Sequence, residues 1–405
     1  MTVATLGRRG AVAALLGAGL LAAGAPLAAR AADDVVIGVI QPLSGPNAQF
    51  GIGSLRGIEL AADTINAAGG IKALGGAKIK LVTADVPTPN TAAAATQRLI
   101  SQNGVSAVIG AFVSSTTLAA SEVTERAGIP LVTFAFADQI TGRGYKYVFQ
   151  VSPKGTVFGA AQFNYATEIA KAAGEKIDKI AILYEDTAYG TAQAKGLRDA
   201  AKAAGVEVVM DEAYPLGITD VSPLVNKLKA SGAQMAFPVS YLNDGLQIIR
   251  ALRQQNIDIP VVGGAAGYII PDFKKGLGDY AEGVLSVAAA SGDLIPEVAA
   301  EYKKKYGTFI THEALIHAAA LDAVVQAMEK AKSADPEKVR AELASLDYCK
   351  GFAQGVPGGC IKFDANGLNA SSFPVFVQWR GDEPVTVYPP KAAKQKPIWR
   401  GKTVE

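Results

Sequence analysis

Along the chain, short apolar runs alternate with longer stretches in which apolar residues recur every three or four positions. Residues 35–40 (VVIGVI) are an unbroken apolar run, as expected of a strand buried on both faces. Residues 54–68 bring Leu55, Ile58, Ala62 and Ile65 to one side of a helix. The pattern continues with strands predicted at 78–83, 105–110 and 130–134 and helices at 91–103 and 115–127. The rhythm then starts again. It predicts a helix at 156–173, a strand at 179–184, a helix at 190–204 ended by Gly205, and a strand at 206–214. A helix at 221–231, a strand at 234–239, a helix at 244–255 and strands at 261–263 and 284–289 follow. Helices at 296–306, 312–331 and 336–344 lead to β-like segments at 361–364 and 373–380. Strict alternation of strand and helix implies βαβ units, parallel sheets and the α/β class. With no long polar linker between the two runs, the pattern predicts two α/β lobes around a cleft.

Composition narrows this picture. The 405 residues allow two or three domains and sizeable cores. At 49% hydrophobic and 19% charged, the chain is not disordered by composition. Lys+Arg 39 against Asp+Glu 37 leaves no basic excess, so no nucleic-acid partner is expected. Two His and two Cys nearly exclude a Cys/His structural zinc site, which leaves only a metal held by carboxylates alone open in principle, and no metal or cofactor is expected.

The first 31 residues read as an export signal. Arg8 and Arg9 precede an uncharged Ala/Gly/Leu run that ends in Ala29-Arg30-Ala31, a small-x-small cleavage pattern. The Arg8-Arg9 pair leaves the twin-arginine and general secretory routes both open. The expectation is cleavage near Ala31 and a periplasmic mature chain. Removing Arg8, Arg9 and Arg30 changes the balance from +2 to 2 − 3 = −1. Export places Cys349 and Cys360 in an oxidising compartment, where they are expected to form one disulfide around a Gly-rich loop.

Catalytic motifs are missing. No phosphate-binding Gly-x-x-x-x-Gly-Lys-Ser/Thr and no Gly-x-Ser-x-Gly elbow occurs. The glycines at 51, 53 and 57 have one residue too many for a dinucleotide fingerprint and do not directly follow a strand. His312-Glu313 with His317 has a spacing of five, which leaves the two rings about 140° apart on a helix rather than on one face. They read as ordinary helix histidines, and the protein as no enzyme.

Several segments together resemble the periplasmic branched-chain amino-acid-binding proteins, the type I solute-binding subunits of ABC importers. They are Gly38-Val39-Ile40-Gln41-Pro42-Leu43-Ser44-Gly45-Pro46 with Phe50-Gly51, Glu59-Leu60-Ala61, Gly69-Gly70-Ile71, and Ala107-Val108-Ile109-Gly110 with Ser114-Ser115. Gly128-Ile129-Pro130, Tyr147-Val148-Phe149-Gln150, Tyr184-Glu185-Asp186 with Tyr189-Gly190, and Phe363-Asp364 with Gly367 complete the set. The resemblance spans the mature chain. It implies two Rossmann-like parallel-sheet lobes joined by three crossovers and closed on ligand by a hinge. Lobe 1 would be 33–152 plus 288–374, and lobe 2 would be 153–287 plus 375–398. It also implies a membrane permease of an ABC importer as partner. The alternative is a ligand-sensing module of the same fold, presenting its ligand to a chemoreceptor or regulator.

Ser114 and Ser115 stand between a strand end and a helix start, where N-capping hydroxyls and free N–H groups suit a ligand carboxylate. The resemblance assigns that role to them and gives Ala135 backbone contacts to the ligand. It places Phe136, Ala137, Phe50, Tyr189, Tyr241 and Ala266 around the cleft. Relatives usually carry Thr or Ser where Ala137 stands and an acidic residue near Ala266, both serving a ligand ammonium. Both are missing here, and an unpaired buried ammonium costs several kcal/mol. Asp138 or Asp244 could substitute. The expected ligand is an aromatic or branched carboxylate, or an apolar amino acid.

Overall fold

The computed structural model describes residues 33–405. The expected signal segment lies outside the described residues. The chain runs through β1 (Val35–Gln41), α1 (Ala48–Ala67), β2 (Ile79–Asp85), α2 (Pro89–Asn103), β3 (Ala107–Gly110), α3 (Ser114–Ala127), β4 (Leu131–Thr133) and β5 (Val148–Gln150). Their apolar runs pair in parallel as one sheet, in the order β2-β1-β3-β4-β5.

Next come α4 (Gly155–Ala172), β6 (Lys179–Glu185), α5 (Ala188–Ala203), β7 (Glu207–Tyr214), α6 (Ser222–Ala230) and β8 (Met235–Val239). They are followed by α7 (Leu242–Gln254), β9 (Val262–Gly263), α8 (Pro271–Leu277) and β10 (Leu285–Ala288). Strands β7-β6-β8 form a second parallel sheet. An isolated bridge from Ala236 to Val261 continues it towards β9 and β10.

Helices α9 (Pro296–Tyr306), α10 (His312–Ala331) and α11 (Pro336–Ala344) follow. Then come the short strands β11 (Asp347–Tyr348) and β12 (Ile361–Lys362), β13 (Val375–Arg380), β14 (Glu383–Tyr388), β15 (Ile398–Trp399) and β16 (Lys402–Thr403). Helix α10 returns to the first sheet and packs on α1, β3 and β4. Strand β13 returns to the second and pairs antiparallel with β10 and β14. The chain therefore passes between the two layers three times: after β5, after β10 and before β13. Cys349 and Cys360 are bonded where the β11–β12 hairpin opens into its loop. No helix of the described residues is long and apolar enough to cross a membrane.

The pattern misses the short strands β5, β11, β15 and β16, and three further readings need correction. Helix α1 begins at Ala48 rather than 54, because burial of Phe50 outweighs the low helix propensity of Gly51 and Gly53. Helix α8 has only seven residues, too few for a periodic signal. Strand β14 carries Pro384 and a mixed polar face, which the sheet order shows is possible because β14 is an edge.

Candidate functional site

In parallel α/β sheets the loops at the carboxyl ends of the strands form the binding crevice. Here those loops converge on one small cavity. Phe112 follows β3, Phe134 and Phe136 follow β4, Tyr189 follows β6, Tyr241 follows β8 and Ala266 follows β9. Together with Ser114 they line a cavity of about 10 Å³, roughly the room one water centre needs. Larger hollows lie elsewhere, of about 270 Å³ beside the crossover after β10 and about 530 Å³ along the C-terminal segment. Volume alone does not select the site; convergence of strand ends from both layers does.

The walls are aromatic and mutually packed. Phe50 stacks on Phe112 with centroids 4.4 Å apart and planes at 4°. Phe112 stacks on Phe134 at 5.2 Å, and Phe134 meets Phe136 at 4.6 Å. From the second layer Tyr241 approaches Phe50 at 6.1 Å and Tyr189 approaches Phe136 at 6.1 Å. Tyr189 also donates its hydroxyl proton to the Gly264 carbonyl. Ala265 has a φ of +74°, costly for a residue with a Cβ, and is held by donating its N–H to Ser286 Oγ. That turn brings Ala266 to the cavity.

Ser114 is buried and its Oγ accepts from the N–H groups of Phe136 and Ala137, at 3.2 Å each. The expectation that Ser114 and Ser115 cap α3 is corrected. Val113 holds the N-cap position, Ser114 is the first helical residue, and no side chain caps the helix. The first-turn N–H groups of α3 thus have no side-chain acceptor. Ser115 is half-buried and is not among the cavity residues.

Of the other expected residues, Ala135 and Ala137 are buried beside the cavity without lining it. Ala135 donates its N–H to Thr133 Oγ1. Phe50 stands one layer back, behind Phe112. Asp138 faces the start of α4, where it accepts from the Thr156 N–H at 3.1 Å and the Thr156 hydroxyl at 2.6 Å. Asp244 accepts from the Tyr241 N–H at 3.3 Å and the Tyr214 hydroxyl at 3.0 Å, which caps α7. Burial pushes its carboxyl up to about 6. Glu185 is also close, but three donors around the start of α5 occupy it.

The sequence reading missed three side chains behind the walls. His317 Nδ1 donates to the Glu313 carbonyl at 2.8 Å, and its Nε2 meets Gln41 Nε2 at 3.0 Å. Gln41 Oε1 accepts from the Phe112 N–H at 3.1 Å, so this relay from α10 fixes the loop after β3. His312 packs edge-on against Phe134 at 4.8 Å. The scarcity of histidine and the position of Gln41 at the end of β1 were the available signals.

The chain matches the profile of a periplasmic binding protein family over residues 34–383. It is 34% identical over 399 residues to the Leu/Ile/Val-binding protein homolog 8 of Brucella melitensis, covering 94% of this chain and 97% of that one. Among solved structures it resembles the branched-chain amino acid transporter substrate binding protein LivJ of Streptococcus pneumoniae, in complex with isoleucine. That match has 25% identity and a TM-score of 0.76, and covers 87% of this chain and 100% of that one. A solute binding protein of an ABC transporter from R. palustris, in complex with benzoate, has the same fold. It shows 20% identity and a TM-score of 0.73, with coverage of 89% and 99%.

Proposed function

This chain belongs to the periplasmic binding protein family, and from that premise we propose that it captures a small aromatic or apolar carboxylate for an ABC importer. Members of this family are binding proteins rather than enzymes. The ligand sits among the aromatic walls, with its carboxylate at the start of α3 beside Ser114, where the helix dipole and uncapped N–H groups favour an anion. Residues 33–152 plus 288–374 act as one lobe and residues 153–287 plus 375–398 as the other, closing about the three crossovers. Return of α10 to the first sheet and of β13 to the second supports that division. Export to the periplasm and delivery to a membrane permease complete the reading.

The observation that carries the choice of ligand is the inventory of carboxylates. Among the described residues, no acidic side chain lines the cavity. Of the buried acids near it, Asp138, Glu185 and Asp244 are each held by two or more donors of the protein itself, and Glu313 does not line the cavity and has its Oε2 3.5 Å from His312 Nε2. A ligand ammonium placed there would lack a counter-charge, at a cost of several kcal/mol. An acid without an amine incurs no such cost.

A thermal-shift screen of the mature chain tests this. A ligand at one hundred times its dissociation constant adds about 2.7 kcal/mol of stability. Benzoate, phenylacetate or a branched keto acid is expected to raise the melting temperature, while leucine, isoleucine and phenylalanine leave it unchanged. S114A is expected to weaken the response, since a hydrogen bond to a charged group contributes about 1.5–3 kcal/mol. A shift with leucine alone would reject the amine-free reading.

A further inference from the structure

Helix α10 opens with an unusual set of buried polar atoms. Thr311 Oγ1, His312 Nε2 and Glu313 Oε2 are all buried without a hydrogen-bond partner. Such groups cost stability in a core, so their presence calls for a physical reason. His312 touches two separate parts of the molecule. Its Nδ1 accepts from the Ala289 N–H at 3.3 Å, and Ala289 is the first residue of the crossover after β10. Its ring stands at 84° to Phe134 with centroids 4.8 Å apart, and lies 6.1 Å from Phe136. Both phenylalanines line the aromatic cavity.

The tautomer follows from these contacts. With Nδ1 accepting, the proton of the neutral ring is on Nε2. That atom lies 3.5 Å from Glu313 Oε2. Residue 312 also borders the hollow of about 270 Å³ between the crossover, α9 and the β13–β14 hairpin, with its ring fully buried. The cavity in front, about 10 Å³, cannot take an organic acid unless its walls move.

We propose that His312 is a positioning residue that ties the aromatic wall of the cleft to the crossover after β10. Seating an acid against Phe134 and Phe136 and holding the crossover in its closed form then become one event. The inference rests on the reading of this cleft as the ligand site. Glu313 Oε2 stands 3.5 Å from Nε2, and Phe134 transmits the push, since it is in contact with both His312 and His317.

The test is stopped-flow binding of benzoate, or of the acid that stabilises the wild type most in the thermal screen, to wild type, His312→Phe and His312→Asn. Phenylalanine keeps an aromatic ring on Phe134 and loses the acceptor for Ala289. Asparagine keeps an acceptor and loses the ring. Coupling between sites typically changes affinity several-fold to a hundredfold, so dissociation about tenfold faster is expected in both variants, with association within about twofold of wild type. The melting temperature of each ligand-free variant serves as the folding control. A dissociation rate unchanged in both variants overturns the proposal. So does a loss in which both rate constants worsen together with the ligand-free melting temperature, as a merely structural role would produce. If the wild type binds no acid, the reading of the cleft fails first, and the proposal with it.

Discussion

Glu185 closes β6 with its carboxylate wrapped by the Thr187 N–H and hydroxyl, at 2.8 Å each, and the Gly190 N–H at 2.7 Å. These bonds favour the ionised form, but burial opposes it more strongly, and the group is pushed up from 4.5 to about 7. Between those two values the folded chain holds the proton while the unfolded chain releases it. The contribution to stability is thus fully present below pH 4.5 and is lost as pH rises through 7. Glu313, pushed up to about 7, and Asp244 and Asp322, pushed up to about 6, act in the same direction. His312 and His317, held down to about 3 and 4 by burial, act in the opposite one, adding stability as pH rises from those values to 6.5. Glu185→Gln isolates one group from this sum. In urea unfolding from pH 5 to 8, wild type is expected to lose stability relative to the variant by up to about 1.4 kcal/mol per pH unit. Parallel profiles for the two proteins would reject the assignment. At this scale the resemblance pointed to Ser114, Phe136, Tyr189, Tyr241 and Ala266, all of which line the cavity. It could not show that Asp138 turns to α4 or that Asp244 turns back on its own helix. Those choices depend on which donors the folded chain brings near.

Helices α4 and α5 show what an element-scale pattern conceals. Both carry glycine on the face they share. A Cβ on Gly159 would lie 2.0 Å from the Gln193 carbonyl oxygen, and one on Gly196 would lie 2.0 Å from the Thr156 carbonyl oxygen. The helices therefore cross with their backbones in contact. Alanine is the better helix former by about 1 kcal/mol, so propensity alone predicts that Gly196→Ala stabilises. The clash is with backbone, which cannot swing aside as a side chain can, and overpacking costs about 1–3 kcal/mol or more. Net destabilisation of G196A by about 1–2 kcal/mol in urea unfolding is expected. An equal or raised stability would show that the crossing is looser than described. The apolar period was enough to place most helices within two residues of their bounds. Helix α8 and strand β14 escaped it because a seven-residue helix and a half-polar edge strand owe their form to neighbours.

For the whole molecule, the aromatic walls come from both layers and meet over a cavity of about 10 Å³. An organic acid reaches that space only if the layers separate. The ligand-free chain in solution is therefore expected to sample a more open form, and binding to shift it towards the closed one. Small-angle scattering should show a radius of gyration that falls when the stabilising acid is added, towards the value of this structure. A constant radius, with binding verified in the same sample, would reject closure as the binding event.

The sequence by itself determined the strand–helix alternation, hence the α/β class, because periodicity is a local property of the chain. It determined the restart of that rhythm and, through the disposition of its motifs, the family. Only the tertiary structure decided that residues 48–53 are helical and that β14 completes an edge. Only it decided which acids are already satisfied, and that two buried histidines on α10 stand behind the cleft. Apart from Glu185, whose donors lie two and five residues away, these depend on contacts between residues tens to hundreds of positions apart. Gln41 and His317 meet across 276 residues, and no local pattern carries such a distance.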